Sequence, residues 1–322
     1  MSQTVTFDYQ SPISLRDAYA RIALSIGEHR SDVMMLDADL SKSTKTASFA
    51  DNWPERHMNI GIAEQNMVGI AAGLATMNKI PFVNTFAAFL TRRACDQIAI
   101  SVAYPKLNVK FFGFHGGINL GEDGATQQAV EDIAIMRAIP NIQVYSPIDA
   151  NDLAWVTEDI LAHDGPTYVR LSRFPSPTLL APEQRPQAET PAFRIMRDGS
   201  DLTVITTGTL TAKVLAAAEV LEQVGLSTRV IAVTRIKPLG ASLADALSQW
   251  SAPVAVVEEH SIHGGLADAV GYLLDEHRQP HLLHRVGISD RFGESGHPDA
   301  LMEAFGLAGT PLVNRLSSLV AA

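Results

Sequence analysis

A lone acid stands at the head of a nearly uncharged run. Residues 59–73 read NIGIAEQNMVGIAAG, and after Glu64 they carry Gly, Ala and apolar side chains with no further charge. Such a run suits a closely packed helix under a buried surface. Burial penalises a carboxylate and a helix N-terminus favours it, so a carboxyl held there is a candidate proton-transfer group. Acids also occupy first turns for purely local reasons. A second grouping runs from His115-Gly116-Gly117 to Gly121-Glu122-Asp123-Gly124, where four glycines flank a histidine and two acids. Glycine lets the backbone take positive φ and approach a ligand closely, although a mobile surface loop has the same composition. Arg173 follows an apolar stretch. A guanidinium is a natural fork for a phosphate, and a surface ion pair is its commoner use. Phe86 and Phe89, three apart, could wall a flat ring or belong to the core.

These groups need elements to hold them. Ser14 with Asp17 three residues on reads as a helix cap, and the helix should run to about residue 27. Short apolar strands are predicted at 33–36, 58–62, 80–84, 109–113, 142–145 and 167–171. Helices are expected from Glu64 onward and over 91–104, 131–138 and 151–162, with a polar loop over 41–47 carrying Lys42 and Lys45. Strands this apolar, alternating with helices, indicate a mostly parallel sheet flanked by helices on both faces. Ligands of such sheets bind beyond the carboxyl ends of the strands. Pro175, Pro177, Pro182, Pro186 and Pro191 crowd the next stretch and suggest a linker rather than a packed element. Alternation then resumes with strands at 202–206, 227–232 and 254–258 and helices at 211–224 and 266–276. The chain is therefore expected to be α/β, with a domain over 1–175, a linker over 176–191 and a smaller domain over 192–322.

Composition narrows the class. The 322 residues are 46% hydrophobic and 19% charged, ordinary for a globular protein. A net charge of -10 argues against a nucleic-acid surface. No apolar run is long enough to span a membrane, and the start MSQTVTFDYQ does not read as a signal peptide. The one cysteine, Cys95, suits a reducing cytoplasm and an inert core position. No Cys/His cluster has metal-site spacing, so no metal ligand is expected in this chain. There is no G-x-G-x-x-G after the first strand, no Walker A sequence and no G-x-S-x-G elbow. A Gly-Asp-Gly segment followed by Asn-Asn, the metal-and-diphosphate signature of thiamine diphosphate enzymes, is also missing.

Several segments occur in one order that resembles transketolase-like enzymes: Ile62-Ala63-Glu64-Gln65, the Phe86/Phe89 pair, Tyr104-Pro105-Lys106-Leu107-Asn108-Val109, and Gly121-Glu122-Asp123-Gly124-Ala125-Thr126. The match is closest to the C-terminal (β) subunit of split bacterial transketolases and covers about residues 10–310. The resemblance implies a pyrimidine-binding domain followed by a transketolase C-terminal domain. It implies thiamine diphosphate with Mg2+ as cofactor, the metal and diphosphate being held by a partner α subunit, in an α2β2 assembly acting on sugar phosphates. Glu64 matches the glutamate that hydrogen-bonds N1′ of the aminopyrimidine, where shared proton density activates the cofactor. Ile62 matches a residue near the bend of the cofactor, and Phe86 and Phe89 match aromatics around the pyrimidine. His115 and Asp123 match residues on substrate hydroxyls, and His115 is also a catalytic candidate. Arg173 matches a substrate-phosphate ligand. Gln127 stands where many relatives carry histidine, which bears on substrate choice. A second phosphate-binding arginine, expected after the first strand, has no counterpart there, and Lys42 or Lys45 are its candidate substitutes. The implied activity is transfer of a two-carbon ketol unit. The alternatives are a deoxyxylulose-phosphate-synthase-like enzyme, the E1 β subunit of a 2-oxoacid dehydrogenase, or a non-catalytic electron-transfer or regulatory subunit.

Overall fold

The computed structural model describes residues 4–186, 193–279 and 282–320. Two sheets organise them. The first has seven strands in the order Arg235–Lys237, Gln143–Tyr145, Thr167–Leu171, Lys110–Phe114, Ile80–Phe86, Val33–Asp37, His57–Asn59. All neighbours run parallel except Arg235–Lys237, which lies antiparallel to Gln143–Tyr145. The four central strands are buried along their whole length, as a parallel sheet covered on both faces requires. The second sheet has five strands, Leu283–Ile288, Val254–Ser261, Leu202–Thr206, Thr228–Val233 and Phe193–Arg197, with only the last antiparallel.

Local chemistry sets several boundaries. Ser14 caps the helix Leu15–His29 by accepting from the Asp17 N–H, and its hydroxyl meets the Asp17 carboxylate in return. Glu64 opens the helix Glu64–Thr76. The strand expected over 58–62 stops at Asn59, because Gly61 turns the chain at φ +79.

Other expectations are corrected. The loop expected over 41–47 is the short helix Ser41–Thr44, with Ala47–Asn52 following it. The hydroxyls of Thr44 and Thr46 both donate to buried Asp37, which tightens the segment. The helix expected over 91–104 is Ala87–Arg93 followed by a π-type segment Gln97–Ala103. The proline-rich stretch is not bare tether. Ser176–Pro177 pairs with Pro12–Ile13, and Leu180 is buried, donating its N–H to Asp149 and accepting from Asn151. Pro191 lies outside the described residues. The strands Phe193–Arg197 and Arg235–Lys237 sit at sheet edges, where alternation is weak and sequence pattern says little.

Among the described residues no helix is long and apolar enough to cross a membrane, and no group of three or more metal-ligating side chains converges.

Candidate active site

Glu64 sits at the first turn of its helix with only 3% of its surface exposed. Arg93, at the end of Ala87–Arg93, donates to Glu64 Oε1 at 2.9 Å. The same guanidinium lies over the Phe89 ring, 4.2 Å from its centroid. Phe89 stacks on Phe86 at 5.4 Å and 24°. Phe86 in turn faces the His115 ring at 4.2 Å. Acid, guanidinium, two phenyl rings and imidazole thus form one continuous row. It is built where the strands Ile80–Phe86 and Lys110–Phe114 end. Glu64 Oε2 accepts no hydrogen bond among the described residues, so one carboxylate oxygen remains available.

His115 is 2% exposed and holds φ +59, a strained value for a residue with a side chain. Both ring nitrogens are buried without a partner among the described residues. Burial, reinforced by Arg173 and Arg16, pushes the imidazole down to about 3, so it is neutral at physiological pH. A buried polar ring with two unmet nitrogens is the kind of group a ligand satisfies.

Arg173 reaches back over the glycine loop, donating to Asp123 at 2.7 Å and to the Leu120 carbonyl at 2.9 Å. Part of the loop packs against the C-terminal domain, while Glu122 and Asp123 stay exposed. A Cβ on Gly124 would come within 2.5 Å of the Ser295 hydroxyl, and one on Gly121 within 3.2 Å of Pro298, so both glycines permit close contact with the C-terminal domain. Two expected site residues stand apart from the row. Ile62 is 76% exposed on the turn before Glu64. Gln127 is half-buried, and its side chain makes no hydrogen bond among the described residues; its neighbour Gln128 instead reaches the Ile118 and Glu294 carbonyls.

Lys45 is turned to Asp17 at 3.4 Å, and Lys42 is exposed on its short helix. Arg16, in the first turn of Leu15–His29, lies close enough to act on His115, and its Nε is buried without a partner among the described residues. Sequence reading passed over Arg16 and Arg93, since both look like ordinary helix-terminal cations.

Comparison with known proteins decides the family. Residues 11–176 match the pyrimidine binding domain of transketolase, and residues 192–310 match the transketolase C-terminal domain. The chain belongs to the transketolase family. A Methanocaldococcus jannaschii protein provisionally named as a transketolase C-terminal section is 42% identical, over 94% of this chain and 95% of its own. The 6-deoxy-6-sulfo-D-fructose transketolase subunit of a Clostridium species is 39% identical over 93% and 92%. A solved structure described as a split gene transketolase, an inactive β4 tetramer, superposes with TM-score 0.86 at 40% identity, covering 96% of this chain and 99% of that one. This is a split-type β chain of a thiamine diphosphate-dependent family.

The residues of this transketolase-family chain suit the aminopyrimidine end of that cofactor. A carboxylate oxygen is free, phenyl rings lie beside it, and a neutral histidine has unmet nitrogens.

Proposed function

We propose that this chain is the β subunit of a cytoplasmic, two-component transketolase that moves a two-carbon ketol unit between sugar phosphates. The row from Glu64 through Arg93, Phe89 and Phe86 to His115 carries this reading. Thiamine diphosphate, when bound, supplies the thiazolium that stabilises carbanion character. Glu64 holds or shares a proton at N1′ of the aminopyrimidine, its position fixed by Arg93. Phe86 and Phe89 wall the ring, and Ile62 flanks the cofactor near its bend. Neutral His115 exchanges hydrogen bonds with a sugar hydroxyl. Arg173, paired with Asp123, takes the substrate phosphate while Asp123 reads a neighbouring hydroxyl. Arg16 is the second cation on the anionic end, in place of Lys42 or Lys45. Gln127 sits half-buried on the same loop and tunes which acceptor fits.

The α subunit would hold the diphosphate and Mg2+ and complete an α2β2 assembly. Its docking face is the surface beside Glu64. Ile62, on the turn before Glu64, and Ile100, on the segment packed against the Glu64 helix, are 76% and 62% exposed. Nothing lies within 4 Å of where a Cβ on Gly69 or Gly73 would stand, so another helix can approach this backbone closely.

The test is reconstitution with the α chain, thiamine diphosphate and Mg2+, assayed with xylulose phosphate and with pyruvate as donors. Turnover of the sugar phosphate by the mixture, with none from either chain alone, is expected. Turnover of pyruvate in its place would assign the chain to the synthase or dehydrogenase alternatives.

A further inference from the structure

The substrate side of the site is held from outside its own domain. Glu259 lies near the end of the strand Val254–Ser261 in the second sheet and is 5% exposed. Its Oε1 accepts the Asn119 N–H at 2.6 Å, across the domain boundary. Gly117, at φ +90, leaves room for this contact: a Cβ there would sit 2.2 Å from Glu259 Oε1. Gly116 makes the matching allowance for Arg170, whose Nε would be 2.4 Å from an added Cβ. Arg170 donates to Asp132 at 2.9 Å and to the Glu259 carbonyl at 2.9 Å. The Gly116-Gly117 pair is thus a seat for two charged side chains, one from each domain.

We propose that Glu259 is a positioning residue for substrate, the group through which the C-terminal domain fixes the loop carrying His115 and leading to Asp123. The proposal rests on the reading of that loop as the sugar-binding side. A buried ion pair alone would need only Arg170, and Arg170 already has Asp132. The carboxylate instead terminates on a loop N–H four residues beyond the strained His115. A charge-assisted bond of this kind resists loop displacement far better than a neutral contact. Glu64, Arg93, Phe89 and Phe86 share no hydrogen bond with Glu259 among the described residues, so the effect is expected on the substrate side rather than on cofactor binding.

Two variants test it. Glu259→Gln keeps an oxygen acceptor for Asn119. Glu259→Leu keeps most of the volume, removes the acceptor and leaves Arg170 paired with Asp132. Hydrogen–deuterium exchange on the isolated chain should show the Asn119 amide region exchanging about tenfold faster or more in Glu259→Leu, with Glu259→Gln near wild type and the central strands unchanged. In the reconstituted enzyme Glu259→Leu should raise KM for the phosphorylated acceptor about tenfold or more, with kcat and thiamine diphosphate affinity nearly unchanged. If Glu259→Leu does not fold, Glu259→Asp, whose carboxylate is withdrawn by one methylene, takes its place with the same expectations. Unchanged loop protection, or equal damage from the Gln variant, overturns the proposal. So does a proportional loss of kcat, KM and cofactor affinity. Absence of sugar-phosphate turnover by the wild-type mixture would overturn the functional reading, while the exchange measurement still decides whether Glu259 holds the loop.

Discussion

The two halves of the candidate site are finished by different means. On the Glu64 side, the acid and its aromatic row border an open face, with Ile62 in solvent on the turn before Glu64 and Ile100 in solvent on the segment packed against the Glu64 helix. On the His115 side, the glycines of the loop are packed by the same chain, with Glu259 and Ser295 filling the space beside Gly117 and Gly124. Large exposed apolar groups beside a buried carboxylate mark an edge that another chain covers. Glycines packed to contact against a second domain mark an edge already covered. On this reading the cofactor half depends on the partner subunit, and the substrate half depends on the C-terminal domain.

Each half can be broken separately. The largest effect is expected at Glu64. Glu64→Gln should lower kcat of the reconstituted enzyme by roughly 10²–10⁴-fold, the usual range for losing an acid–base group. Calorimetric stability and assembly should be unchanged, and near wild-type turnover would remove Glu64 from the chemistry. Arg173→Ala comes next and strikes the other half. KM for phosphorylated acceptors should rise about tenfold to a hundredfold, the worth of a charge-assisted bond. Unphosphorylated acceptors should be nearly unaffected, and equal losses on both in matched kinetic series would make Arg173 structural. Ile100→Asp, on the open face, should weaken association with the α subunit about tenfold or more, as burial of an unpaired charge in an interface does. Sedimentation of the mixture measures this, and the melting temperature of the isolated chain should not move.

The smallest effect concerns His115. In an unfolded chain histidine titrates near 6.5, whereas burial beside Arg173 and Arg16 holds His115 down to about 3. Between those values the unfolded chain binds a proton that the native chain refuses. The His115 contribution to stability therefore rises with pH across this window and is level above it. His115→Gln should remove a slope of at most about 1.4 kcal/mol per pH unit, read from denaturant midpoints between pH 4 and 7 against wild type. Identical slopes in the two proteins would mean that His115 titrates normally.

The sequence disclosed most where chemistry is local. The Ser14–Asp17 cap, the start of the helix at Glu64, and the strands Thr167–Leu171 and Leu202–Thr206 each follow from side chains within a few residues. It was silent where partners lie far along the chain. Arg93 is 29 residues from Glu64, and Glu259 is 140 from Asn119, so neither pairing leaves a periodic or motif-level trace. Gly116 and Gly117 were conspicuous, but their purpose depends on Arg170 and Glu259. The polar residues at 41–47 looked like a loop because buried Asp37, which gathers Thr44 and Thr46, is invisible in their own composition.

The strand Arg235–Lys237 has a bearing on how the gene can be cut. It leaves the second half of the chain to pair with Gln143–Tyr145 at the border of the first sheet. A fragment ending in the proline-rich stretch would lose that strand and bare the backbone N–H and C=O groups of 143–145. Exposed edges of this kind recruit strands from other molecules. Truncation there should yield an aggregating fragment, not a free-standing domain, and extending it to Lys237 would restore this border only by baring Leu202–Thr206, which pairs with Val254–Ser261 in the second sheet.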